Sequence, residues 1–154
     1  MDFQKIDNVF EACDLHLKTT NTFNTLIETY LTQYLLIYIS ANFEQFVRDI
    51  VVKKAQKTGD VEIIAFIENT VGYYKSLSIG DIRGKIIRKF SVELEEKFSK
   101  TIAGTAAEIG YTNIIRNRHL VDHGPGINMT FKELRNSYND SKKVLQNLDD
   151  VLNH

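Results

Sequence analysis

The chain has 154 residues, 43% of them hydrophobic and 25% charged, with a formal net charge of −1. That length can bury a sizeable core as one domain, and the ordinary apolar fraction argues against disorder. Collagen-like and mucin-like sequences are excluded by 8 Gly and 1 Pro and a disulfide scaffold by 1 Cys, while the near-neutral charge weighs against bulk electrostatic binding of nucleic acid but leaves room for a local basic groove.

The opening segment MDFQKIDNVFEACD lacks a basic stretch followed by an apolar run, so no leader is expected. The lone Cys13 fits a reducing compartment, and a cytoplasmic location is expected. Phe3, Ile6, Phe10, Cys13 and Leu17 repeat at helical spacing, with Asp2 as a candidate N-cap. Thr19 to Thr22 reads as a break, because these side chains compete for backbone hydrogen bonds. A long helix is predicted from Thr22 to Lys57. It holds the longest apolar run, Leu35 to Ile39, far short of the roughly 20 residues of a membrane span, so a soluble protein is expected.

Asp60 caps a predicted helix to Asn69, and Val71 to Tyr74 reads as a connector. A helix from Asp81 to Phe90 carries Ile82, Ile86 and Phe90 on one face and Arg83, Lys85, Arg88 and Lys89 on the other side. Ser91 caps a short helix to Ile102, and Thr105 caps one running to His123, where Gly124-Pro125-Gly126 stops the chain. Thr130 and Glu133 form a capping-box pattern before a last helix with the stripe Phe131, Leu134, Tyr138, Ser141, Leu145, Leu148 and Leu152. The expected fold is all-α, a single-domain bundle of five to seven helices over residues 1–154.

Most catalytic signatures are missing. Neither a phosphate-binding G-x-x-x-x-G-K-[ST] loop nor a G-x-S-x-G elbow occurs. His119 and His123 have the spacing to share a metal, but Leu120-Val121-Asp122 between them lacks the glutamate base of H-E-x-x-H. No metal and no cofactor are expected. The dense feature is Ile115-Arg116-Asn117-Arg118-His119-Leu120-Val121-Asp122-His123-Gly124, with two guanidinium and two imidazole groups at a helix end. A helix C-terminus explains one such cation through its dipole, not four.

Arg118-His119-Leu120-Val121-Asp122-His123 resembles the motif of HEPN domains: Arg, a polar residue, then His after three or four more. The Asn-Arg-His-Leu-Val-Asp-His-Gly helix end, the turn after it and the long final helix are most similar to the RiboL-PSP-type branch. The aromatic–acidic segment Asn42 to Phe46 on the long second helix agrees. This resemblance implies a metal-independent endoribonuclease acting as a homodimer, of toxin or phage-defence type, with RNA as substrate and an antitoxin protein as a possible partner. It implies Arg118 and His123 as the catalytic pair, meeting their symmetry mates to leave a 2′,3′-cyclic phosphate, with His119 in the polar position. It also offers Glu44 as a supporting partner.

The residue types suit that chemistry. RNA brings its own nucleophile, the 2′-OH, and imidazole changes charge between pH 5 and 8. A guanidinium meets phosphate oxygens with paired donors in a fixed fork. Asp122 lies four residues from Arg118 and is placed to hold it.

One geometric point stays open. Arg118 and His123 lie about 140° apart on an ideal helix, whereas Arg116, His119 and His123 fall within about 60°. Arg118 projects with Ala107, Tyr111, Ile114 and Val121. Either that face is a subunit interface, or the helix unwinds before His123, or Arg116 meets the phosphate. The motif favours Arg118. Asn117, between the two arginines, is a further supporting candidate.

Arg83, Lys85, Arg88 and Lys89 read either as a solvated face or as an RNA-backbone track, since no acid occurs between Asp81 and Glu93. Lys53, Lys54 and Lys57 offer a weaker version of the same choice. Tyr73 and Tyr74 read as connector tyrosines or as stacking platforms for unpaired bases. His16 and His154 carry no cluster around them.

Overall fold

A computed structural model describes residues 1–124 and 126–154. Seven helices and no strand occur among them. They are α1 (Gln4–Thr20), α2 (Leu26–Gln56), α3 (Val61–Gly72), α4 (79–90), α5 (Val92–Ile102), α6 (Ala106–His123) and α7 (Phe131–Asn153). The expected all-α bundle is what the chain forms. The proline of the Gly124-Pro125-Gly126 stop lies outside the described residues.

Helix ends follow local chemistry. Thr25 starts α2 by accepting from the Ile27 amide, so this helix begins later than Thr22. Asn21 and Asn24 take positive φ before it, which breaks the run of helical turns. Asp2 does cap α1 by accepting from the Gln4 amide at 2.9 Å, although Phe3 occupies the boundary position. Asp60 accepts from Glu62 and Ile63 amides, and α3 runs through Val71 to Gly72 rather than stopping at Asn69. Thr130 and Glu133 form a full capping box on α7.

The largest departure is α4. Ser78 and Asp81 form a capping box, so the helix starts at Ile79 and not at Asp81. Its middle, Ile82–Ile87, is a π-helix containing Gly84. With i→i+5 bonding, Ile82 and Ile87 come onto one buried side, and Phe90 is turned partly outward at 37% exposure. The regular 3.6 period that placed Phe90 in the core therefore fails here.

The core is centred on α7, which packs most extensively on α6 and also lies against α2 and α5. Phe10 stacks on Tyr138, and Phe43 stacks on both Tyr111 and Tyr138, with ring centroids 5.1 to 6.2 Å apart. Gly110 lets α6 approach α7: a Cβ there would stand 2.6 Å from the Ser137 carbonyl oxygen. Cys13 is buried on the inner face of α1, and burial pushes its thiol pKa up. The stripe Phe131 to Leu152 is buried within the chain.

Ion pairs tie the periphery to this core. Tyr138 and Lys142 both donate to Asp7 at 2.8 Å. Burial favours the neutral Asp7 carboxyl, but those bonds outweigh it and hold its pKa below the usual range. Similar contacts lower Asp81, Glu133 and Asp149. A carboxylate with a depressed folded pKa adds stability above its unfolded value and loses it as pH falls through the folded one. Melting temperature is therefore expected to hold from pH 7 to 5 and to drop steadily below about pH 4. Thermal melts followed by circular dichroism check this, and a flat profile down to pH 3 would contradict it.

Candidate active site

The dense segment occupies the last two turns of α6. The helix stays regular through His123 and is capped by Gly124, whose amide donates to the Leu120 carbonyl at 2.8 Å. Unwinding before His123, one of the three readings of the motif geometry, is thereby removed. Gly124 fits closely: a Cβ would lie 2.9 Å from the Leu120 carbonyl oxygen. Arg118 and His123 consequently stand on different sides of the helix within one chain.

Arg118 is half-buried, with its side chain 27% exposed. Its Nη1 donates to Asp122 and, at 3.1 Å, to the Ser76 hydroxyl. Its Nε is buried without a partner among the described residues. Ser76 sits in the loop between α3 and α4 at φ +48°, a strained conformation for a residue with a side chain. Glu44 holds it there by accepting from the Ser76 amide at 2.7 Å. Tyr111 steadies the next residue, donating from its hydroxyl to the Leu77 carbonyl at 3.1 Å. Burial, with Glu44 and Asp81 nearby, pushes the Tyr111 phenol far above its ordinary pKa, so it remains a neutral donor. One polar chain thus runs Glu44–Ser76–Arg118–Asp122 across α2, a loop and α6.

His119 and His123 are both exposed and pack edge to face, with ring centroids 5.0 Å apart. Arg116 is exposed on the same helix and shows no ion pair among the described residues. Asn117 is buried and faces inward. Its Nδ2 donates to Asn113, and its Oδ1 accepts from the Asn128 amide at 3.1 Å, pinning the segment after α6 back onto the helix. Asn117 is thus placed as scaffold under the helix end.

On α4 the basic face meets two acids, Asp81 one turn back on the same helix and Glu95 on α5. Arg83 pairs with Glu95 at 2.8 Å and Lys85 with Asp81 at 2.7 Å. The expectation of a track clear of acids therefore fails in space: α5 folds back and brings Glu95 alongside. Hydrogen bonding to Asp81 holds the Lys85 ammonium above its usual pKa range, and Arg83 holds Glu95 below its own. Arg88 and Lys89 are exposed and show no ion pair among the described residues. Lys53 pairs with Asp149, and Lys57 donates to the Asn153 carbonyl, so both fasten α2 to the end of α7. Tyr73 is 85% exposed, while the Tyr74 hydroxyl donates to the Lys85 carbonyl at 3.3 Å.

Ser76 has no signal in the sequence. Nothing about a serine between Lys75 and Leu77 predicts a positive φ or a bond to a side chain 42 positions away. Among the described residues no group of three His, Cys, Asp or Glu side chains is arranged to hold a metal ion, and no helix is long and apolar enough to cross a membrane.

A family model described as RiboL-PSP-HEPN matches residues 1–154. No curated protein and no solved structure matches the chain.

Proposed function

This chain belongs to the RiboL-PSP-HEPN family, and from that premise we propose that it is a metal-independent endoribonuclease of toxin or phage-defence type. HEPN-type domains often act as ribonucleases, bind RNA and dimerise. In this reading residues 1–154 form one domain, two copies pair, and Arg118 and His123 of both copies line one composite site. The supporting observation is the anchored guanidinium: Asp122 and Ser76 fix Arg118 beside a helix end whose imidazoles are open to solvent. Pairing across a two-fold axis answers the angular separation within one chain, because the second copy supplies the facing groups.

The chemistry balances without a cofactor. One imidazole takes the proton of a 2′-OH, and the oxygen attacks the adjacent phosphorus. A second imidazole gives a proton to the departing 5′-oxygen, and the products are a 2′,3′-cyclic phosphate and a 5′-hydroxyl. Arg118 offsets charge on the non-bridging oxygens. Asp122, Ser76 and Glu44 act as positioning residues, as does the Asn117 scaffold. His119 packs against His123 and sets its ring orientation, while Arg88, Lys89 and Arg116 supply backbone contacts. A protein antitoxin would act by covering this helix end, and the cytoplasm is the compartment where its RNA is found.

The test is incubation of purified protein with a defined RNA in EDTA. Cleavage that persists, with cyclic-phosphate ends, is the expected result. His123→Ala should lower the rate by about 10²–10⁴-fold, the usual worth of an acid–base group. Cleavage unaffected by that substitution would remove His123 from the reaction. RNA binding without turnover would favour the alternative, a non-catalytic helical module that binds RNA or protein.

A further inference from the structure

A cavity of about 360 Å³ opens between α2, α3 and α4, with no residue of α6 in its lining. Of its lining residues the proposed ribonuclease reaction uses only Lys89, as a backbone contact, and leaves the apolar interior without a role. Buried Val51, Val71 and Ile86 form its base, exposed Phe66 and Phe90 flank it, and Lys89 stands at its edge. Lys85 also borders it, although Asp81 already pairs with that ammonium. No acidic side chain lines the cavity. The volume lies at the lower end of the range of about 300–1,000 Å³ that small molecules occupy.

Two features decide what fits. The walls are mostly apolar, and the two hydroxyls among them, Thr70 and Tyr74, already donate to the Phe66 and Lys85 carbonyls, so a nucleobase would bury donors and acceptors with few partners, at a cost of about 1–3 kcal/mol per group. An alkyl chain carries no such cost and gains by leaving water. The charge at the edge is positive, and a lysine stem buries along apolar surface while its head stays in water, where it can meet an anion. The helix above is suited to receiving such a ligand. α3 packs chiefly on α2, buries only Val71 among its residues, and leaves Phe66 68% exposed.

We propose that this cavity binds a free medium-chain carboxylate, with the alkyl chain against Val51 and Ile86 and the head group at Lys89. The inference does not rest on the ribonuclease reading.

Calorimetric titration of the full chain with decanoate, below the concentration at which it forms micelles, tests it. The expected result is saturable binding of one decanoate per chain, with no binding of acetate. Lys89→Gln should weaken decanoate about threefold, as loss of an exposed ion pair does, and leave decanol unchanged. Ile67→Trp, which fills the cavity from α3, should abolish binding of both. Lys89 is exposed, so its variant keeps the test decisive where Ile67→Trp fails to fold. Absence of saturable binding, uptake of many decanoates per chain, or equal affinity in the parent and Lys89→Gln would each overturn the proposal. So would binding of adenosine monophosphate, or of phosphatidylglycerol vesicles, in place of free decanoate.

Discussion

If the chain is the ribonuclease proposed above, Arg118→Ala is expected to lower the rate of RNA cleavage by about 10²–10³-fold, the loss for a donor that meets charge developing in the transition state. Arg116→Ala costs less than about tenfold, since an exposed cation acts mainly on phosphate attraction. The difference lies in how the two guanidinium groups are held. Asp122 and Ser76 engage Nη1 of Arg118 and fix its plane, which in the proposed reaction leaves the other end of the fork for a phosphate oxygen. Arg116 has no such anchor among the described residues. Arg118→Lys should not restore the rate, because a point charge on a flexible stem cannot keep both anchors and still present a second donor. Single-turnover cleavage of a defined RNA, with circular dichroism to verify the fold of each variant, measures this. The reverse ranking would transfer the phosphate contact to Arg116.

Gly110→Ala is expected to destabilise the fold by up to about 2 kcal/mol. Alanine gains about 1 kcal/mol over glycine within a helix, but the added methyl would stand 2.6 Å from the Ser137 carbonyl and 3.2 Å from its Cα. Both are backbone atoms of α7, so relief requires the two helices to separate, and overpacking of that kind costs about 1–3 kcal/mol. Because α6 also carries the arginine–histidine segment, the same shift disturbs the site. Gly84→Ala is the control: nothing lies within 4 Å of the position its Cβ would take, and its stability should be unchanged or higher. Urea unfolding of the two variants beside the parent checks both, and equal midpoints would count against close packing at Gly110.

Much of the helix order was legible because it rests on local rules. Thr105, Ser91, Asp60 and Thr130 each cap the helix that their sequence context predicts. The period of the last helix likewise reads directly as a buried stripe. Two kinds of feature escaped. The π-helix at Ile82–Ile87 changes the repeat within one element, and no composition rule marks where that occurs. The pairing of Arg83 with Glu95 and the bridging by Ser76 are made between elements, so they emerge only when the chain has folded. The motif residues were visible as an unusual density of cations at a helix end. Their division into an anchored Arg118, an exposed histidine pair and an inward Asn117 was not, since an ideal wheel assigns directions without neighbours.

Cys13 gives the protein an internal clock. It lies on the inner face of α1, buried against the core, and is the chain's only thiol, so an alkylating reagent gains free access to it when that helix lifts away. The pace of labelling then reads how often the bundle breathes, without a dye or a tag, and every variant described above can be timed against the same atom.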